Sequence, residues 1–329
     1  MKLLFITQKL HAQDTFGILW INEFRRQGFD VTVLCLEDRV SPQEFPVYSM
    51  GKEKGYGKIR QVLRFWQLIG SLSYDRVFIH MSPVWGMLGA PVFIARRKPT
   101  YLWYTHYKLS FSMRVVGWYA KRLFCATPQS LPQYEGYSKK VVIGHGIDLT
   151  VWPKRENHTE NSHELLMVHR LSRSKRVEIV LQALMHLPEY TLVIYGIEAE
   201  KDYVRELRKL IEKLSLSDRV TFKGTIPMTD LPSIYQSHRL ILNMATETID
   251  KTMLEAMTCG CYPVVTQRNA EAIGIPLAPN DDGKGVTDFI QQYHEQIPMR
   301  ADEMYRVVET RHGLRGLIAK MGSFIMPGV

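Results

Sequence analysis

Short apolar runs rich in β-branched and aromatic residues recur from one end of this chain to the other, each separated from the next by a segment with helical spacing. In the first half KLLFIT, DVTVLCL, RVFIH, TYLWYTH, LFCAT and KVVIGH read as buried strands, with a helix over about 17–28 that ends at Gly28. In the second half ELLMVH, YTLVIYG, RVTFKG, RLILNMA and YPVVTQ read the same way, with long charged helices over 176–186 and 201–214. Strands that are apolar on both faces need a cover on both faces. The pattern is therefore that of an α/β chain with doubly wound parallel sheets. A chain of 329 residues, 45% of them hydrophobic, has material for about two such cores. The polar stretch PKRENHTENSHE at 153–164 is the expected linker. It divides a first domain, 1–152, from a second, 153–311, with a final helical segment over about 312–329.

The opening apolar run is too short for the core of a signal peptide, and no later stretch reaches the length of a membrane span, so a cytoplasmic location is expected. Cys35, Cys125, Cys259 and Cys261 lack the spacing of a zinc site or a redox pair and read as reduced, mostly buried thiols. The net charge of +9 is unevenly placed. Residues 1–150 hold 20 Lys and Arg against 10 Asp and Glu, whereas residues 151–329 hold 22 against 23. The excess falls within 51–150, where 15 basic residues meet four acidic ones, so an anionic partner is expected for the first domain alone. Nucleic acid and a membrane surface both fit that charge.

Ligands of open parallel sheets bind beyond the carboxyl ends of the strands, and the residues there are unusually polar. His80 follows RVFI, His106 follows TYLWYT, His145 follows KVVIG, Gly196 follows YTLVIY and Gly224 follows RVTFK. Thr246 and Glu247 follow RLILNMA. Glu255 stands eight positions after Glu247 and interrupts the apolar run TMLEAM. A bare carboxylate there needs a hydrogen-bonding partner, supplied by the chain itself or by a ligand. Asp250 occupies an N-cap position, so the N–H groups of Thr252 and Met253 would point from the positive end of a helix toward an anion. In MVHRLSRSK a strand runs directly into Arg170, with Lys175 five residues on, a cationic pair suited to a diphosphate. Arg173 and Arg176 beside them equally fit a solvated basic turn.

Taken in order, HGID, HRLSRSK, YG, FKGTIP, DLPSIYQS and ETIDKTMLEAMTCGCYPVV resemble the carboxyl-terminal domain of family 4 retaining glycosyltransferases of the GT-B fold, the glycosyl transferases group 1. The resemblance covers nearly the whole chain, strongest over 143–266 and looser before 110. It implies two Rossmann-like, doubly wound domains facing across a cleft, with the basic helical segment 301–321 crossing back to the first. It also implies that Glu247 contacts hydroxyls of a donor sugar, that Glu255 holds the ribose of its nucleotide, and that Arg170 and Lys175 neutralise the leaving diphosphate without a metal or other cofactor. His106 matches the family's cleft histidine. The loop from Thr7 to Gly17 matches the turn that meets donor and acceptor, which puts Gly17 with Gly196, Gly224, Thr252, Met253 and Glu255 on the donor side and Asp14 with His80 on the acceptor side. Three departures stand out: TQKLHAQDTFG lacks paired glycines, Ile249-Asp250-Lys251 replaces a small turn ending in Gly, and Gly196 is followed by Ile-Glu.

The function implied is retaining transfer of a hexose from a nucleotide-sugar donor, UDP before GDP, to a lipid-linked or glycan acceptor. A catalytically inactive nucleotide-sugar-binding protein is the alternative. No RNA or DNA module is recognisable, so nucleic acid is not an expected partner. In KIRQVLRFWQLIG, Ile59, Val62, Leu63, Trp66 and Ile69 fall at helical spacing with Lys58, Arg60 and Arg64 on the flanks, as in a basic interfacial helix. A second stretch, MRVVGWYAKRLF at 113–124, is expected to be an ordinary helix packed on the sheet. An anionic inner membrane face is therefore the partner expected for 58–70.

Overall fold

The computed structural model describes residues 1–11, 15–40, 43–154, 163–246, 249–296 and 300–326. The chain divides into two compact units, Met1–Gly146 with Leu314–Val329, and Ile147–Gly313. The first holds strands β1 (Lys2–His11), β2 (Asp30–Arg39), β3 (Val47–Ser49), β4 (Arg76–His80), β5 (Thr100–Trp103), β6 (Arg122–Cys125) and β7 (Lys140–Val142). Its helices are α1 (Thr15–Arg26), α2 (Lys58–Ser71), α3 (Pro83–Ala95) and α4 (Phe111–Tyr119). The second unit holds β8 (Glu164–Val168), β9 (Thr191–Tyr195), β10 (Val220–Gly224), β11 (Leu240–Asn243) and β12 (Tyr262–Val265). Among its helices are α5 (Val177–Leu184), α6 (Lys201–Lys213), α7 (Leu231–Gln236), α8 (Lys251–Thr258), α9 (Gln267–Ile273), α10 (Gly283–Tyr293) and α11 (Ala301–His312). The chain then returns to the first unit as α12 (Leu314–Ile325).

Both sheets are parallel, in the orders β3-β2-β1-β4-β5-β6-β7 and β10-β9-β8-β11-β12. Each order reverses once, beside β1 in the first unit and beside β8 in the second, and that is where such sheets open a crevice for ligands. The fold class is thus α/β, two Rossmann-like, doubly wound domains.

Alternation along the strands fixes the layers. In β1 of the first unit, Leu3 and Phe5 turn to a core with Trp20 and Phe24 of α1, while Leu4 and Ile6 turn to a core with Phe65 of α2, Phe93 of α3 and Val116 of α4. Leu314, Leu317, Ile318, Met321 and Ile325 of α12 belong to the α1 side. Tyr101 donates its hydroxyl to the Phe324 carbonyl at 3.1 Å and Gln27 donates to the Arg315 carbonyl at 3.0 Å, fastening both ends of that helix. The second unit has one continuous core that runs through β8, β9, β11 and β12 and takes in α5, α7, α8 and α11.

Local structure departs from the sequence expectations in three places. The segment from Thr7 to His11 is strand, not loop. Beyond Ile6, β1 pairs with β2 alone as far as His11 opposite Arg39, and Glu37 buried there takes Arg39 at 2.7 Å and Lys52 at 3.0 Å. The stretch 113–124 is not one helix, because α4 ends at Ala120, where ψ of 145° turns the chain into β6. The segment 301–321 is likewise two helices, broken at Gly313 with ψ of 134°. Most of the expected linker, 155–162, lies outside the described residues. Cys35, Cys125, Cys259 and Cys261 are buried free thiols.

Candidate functional site

The strands flanking the reversal in the second unit, β8 and β11, deliver the candidate site. Val168 ends β8, and His169 and Arg170 follow it directly. The His169 N–H donates to the Tyr195 carbonyl at 3.1 Å, and its Nδ1 lies 3.0 Å from the Arg170 carbonyl. A carbonyl only accepts, so Nδ1 carries the proton and Nε2 is left as a bare acceptor, buried and without a partner among the described residues. Burial pushes the pKa of this imidazole down to about 4, so it is neutral at physiological pH. Gly196 makes the close approach of β8 and β9 possible. Its φ is +146°, and a Cβ there would fall 1.8 Å from the His169 carbonyl oxygen. Its N–H donates to the Gly224 carbonyl at 2.7 Å, so the ends of β8, β9 and β10 are laced together.

After Arg170 the chain makes a 3₁₀ turn, Arg173–Lys175, and starts α5 from Arg176 in the left-handed region at φ 51°. The four cations divide. Arg173 forms a two-pronged pair with Glu206, at 2.7 Å on one arm, and Arg176 donates to the Asp281 carbonyl at 3.0 Å. Arg170 is exposed, and no hydrogen bond or ion pair to a described residue holds its guanidinium. Lys175 is 5% exposed and its ammonium sits on both carboxylate oxygens of Asp250, at 2.7 and 2.6 Å.

Asp250 takes the N-cap position of α8, as its place before the helix suggested, but its side chain makes no capping bond. The carboxylate instead accepts from Lys175 and from Asn243 Nδ2, at 2.5 Å, where β11 ends. The first turn of α8 is also less open than the sequence implied, because the Met253 N–H donates to the Asp250 carbonyl at 3.0 Å. Thr252 places a buried Oγ1 there without a partner among the described residues. About one turn along the same helix is Glu255. Its carboxylate is half-buried and makes no hydrogen bond to a described residue. Burial raises its pKa to about 7, Lys251 pulling the other way and Asp250 adding to the rise. A carboxylate in that state is what the sequence argument demanded a partner for.

The second unit thus brings together Arg170, Lys175, Gly196, Gly224, Thr252, Met253 and Glu255 around the ends of adjacent strands and α8. Glu247 and Asp14 lie outside the described residues. His169 and Asn243 were not singled out from sequence, although His169 stands at a strand end by the same rule as His80 and His106, and Asp250 was read as a helix cap and not as the partner of Lys175.

The first unit distributes its residues differently. Gly17 lies within the first turn of α1. His106 is exposed beyond β5, its ring edge-on to Tyr104 at 5.3 Å, and partial burial holds its pKa below the ordinary histidine value. His80 is buried in an aromatic nest, stacked on Trp103 at 5.0 Å and flanked by Phe5, Phe16 and Trp20. It does not share a surface with Lys58, Arg60, Arg64 and Trp66, which all lie on α2. On that helix only Phe65 and Ile69 are buried, while Ile59, Leu63 and Trp66 are 79%, 58% and 44% exposed. Arg60 lies over the Tyr56 ring at 3.6 Å, Arg64 donates to the Ser49 carbonyl at 2.6 Å, and Trp66 donates to the Leu88 carbonyl at 2.9 Å. Among the described residues no helix is long and apolar enough to cross a membrane.

Residues 149–273 match the family model of glycosyl transferases group 1. The chain is 30% identical over 139 residues to the GtfA subunit of a UDP-N-acetylglucosamine–peptide N-acetylglucosaminyltransferase of Streptococcus gordonii, a match to 39% of this chain and 26% of that protein. It is 26% identical over 188 residues to a D-inositol 3-phosphate glycosyltransferase of Mycobacterium bovis, 54% of this chain and 38% of that one. The chain therefore matches well under half the length of these relatives. Whole-chain likeness is seen in the fold. The HepE protein of Anabaena, solved with UDP and glucose, superposes with a TM-score of 0.77 at 18% identity, covering 99% of both chains. Sucrose-phosphate synthase of Thermosynechococcus elongatus does so at 0.78 and 14%, covering 99% of this chain and 98% of that one.

Proposed function

We propose that this chain is a retaining, metal-independent glycosyltransferase that moves a hexose from a nucleotide-sugar donor, a UDP-sugar before GDP-mannose, to a lipid-linked or glycan acceptor at an anionic membrane surface. The observation that carries the reading is the grouping at the ends of β8, β9 and α8: a seated Lys175, a helix N-terminus, and an Arg170 guanidinium and a Glu255 carboxylate that no described residue pairs, all inside the segment that matches the family. The UDP-glucose bound to HepE supports UDP as the first nucleotide to test.

In this reading Glu255 receives the ribose hydroxyls and Glu247 the hydroxyls of the sugar. Gly196 and Gly224 keep side chains out of the way of the donor, and Arg170 with Lys175 meets the diphosphate. Cleaving the bond between the anomeric carbon and the phosphate oxygen builds positive charge on the sugar and negative charge on the diphosphate. Cations already in place at the phosphates lower that barrier without reorganising. The acceptor oxygen forms the new bond on the face the diphosphate leaves, and the departing phosphate oxygen takes the acceptor proton, which preserves the anomeric configuration. His106 and the exposed basic and apolar face of α2 are the features of the first unit assigned to the acceptor and the membrane.

The test is release of nucleoside diphosphate from a panel of UDP-hexoses and GDP-mannose, with a thermal-shift screen alongside. A donor at 100 times its Kd raises stability by about 2.7 kcal/mol. Release that persists in EDTA, with a product anomer matching the donor's, supports the mechanism, and loss of activity in EDTA refutes its metal independence. Binding without release identifies a nucleotide-sugar-binding protein of the same fold instead.

A further inference from the structure

Lys175 is nearly buried, and burying an ammonium is costly unless a counter-charge accompanies it. Asp250 supplies that charge through two short bonds, at 2.7 and 2.6 Å. The carboxylate is itself anchored. Asn243, 2% exposed, donates Nδ2 to it, and the Asn243 Oδ1 accepts the Ala245 N–H at 3.0 Å, so the amide is fixed from both ends. The Asp250 side chain keeps 24% of its surface accessible, against 7% for Lys175. It also ignores the bond its position offers, the cap of α8. An anion is therefore built into the place where a lysine and a helix N-terminus would together draw one. The pair cancels, and Arg170 is left as a cation with no hydrogen bond or ion pair to a described residue.

Resting on the reading of this site as a diphosphate site, we propose that Asp250 is a positioning residue acting through Lys175. It is an internal counter-anion that holds the ammonium in place before the donor arrives, competes with the diphosphate for it, and reclaims it as the nucleoside diphosphate leaves. The effect is selective. Asp250 lowers affinity for the phosphates and leaves the grip on the nucleoside alone, which speeds release of the product.

Calorimetric titration of wild type, Asp250→Asn and Asp250→Glu with UDP, GDP and the parent nucleosides tests this. Asp250→Asn should bind the nucleoside diphosphate at least tenfold more tightly with nucleoside affinity unchanged, and Asp250→Glu should return to the wild-type value. In steady state the asparagine variant should show a lower donor KM, a lower kcat and inhibition by product at correspondingly lower concentration. Diphosphate affinity that is unchanged or weaker in Asp250→Asn overturns the proposal and makes the pair a structural tether. If that variant does not fold, Asp250→Ser serves in its place, and unfolding of both likewise assigns the pair to structure. A wild-type protein that binds no nucleoside diphosphate refutes the diphosphate site itself, a failure distinct from the others.

Discussion

Glu255 shows how a single side chain can set function against stability. Its pKa is raised from 4.5 to about 7 by burial, so the fold favours the neutral form. Its contribution to stability is then fully present below about pH 4.5 and is lost as the pH rises through about 7. Glu255→Gln should flatten the fall in melting temperature of the ligand-free protein over that window and melt higher than wild type at pH 8. The same variant should bind the donor roughly 10–100-fold more weakly, the value of a charge-assisted hydrogen bond. A melting curve and a titration on one preparation read both. Arg170→Ala should lower kcat by about 10²–10³ with little change in donor KM, because the cation acts on charge that develops as the diphosphate leaves. An effect confined to KM would make Arg170 a simple binding residue. At this scale the sequence was legible where position alone decides, as for Arg170 and Gly196 at strand ends. It was opaque where a distant partner decides. Asp250 could be read as a cap from its place before α8, but its turn toward Lys175 depends on a residue 75 positions away.

The strands were the most legible elements. Among the described residues all eleven apolar runs are strands, the inner ones because runs covered on both faces cannot hide a polar position, while the edge strands β7 and β10 keep exposed positions. A further strand, β3, is three residues long and offered no run to see. Helix ends were harder. The apolar spacing of 113–124 continues across Ala120, and only the backbone there separates α4 from β6. On α2 the pattern was clear but its meaning was not, since the apolar positions split between a buried pair and an exposed stripe of Ile59, Leu63 and Trp66. With Lys58 and Arg60 exposed alongside, each basic residue near an anionic surface would add about 1 kcal/mol of attraction. The protein should therefore co-sediment with anionic vesicles at low salt and not with neutral ones. Ile59→Ser with Leu63→Ser, or Lys58→Glu with Arg60→Glu, should abolish this without shifting the melting temperature. Equal failure of wild type on both vesicle types would point to a soluble acceptor.

Across the whole molecule, the first unit is assembled from two separate pieces of sequence. Its α12 side chains Leu314, Leu317, Ile318, Met321 and Ile325 are at most 3% exposed. At about 1.5–3 kcal/mol each, an upper estimate, burying five of them rivals the roughly 5–15 kcal/mol by which a domain is stable at all. A chain truncated after Gly313 should show the second unit melting normally and the first unit molten or unfolded, a difference that hydrogen exchange resolves unit by unit. Exchange protection retained throughout 1–146 would refute this. The same division bears on how the protein is made. Between Gly146 and Leu314 a ribosome at 5–20 residues per second spends roughly ten to thirty seconds building the second unit. Throughout that interval the aromatic and aliphatic seat of α12 has no occupant. The unit that begins the chain is thus the later one to close, and the nascent protein is most in need of a chaperone while its second half is being translated.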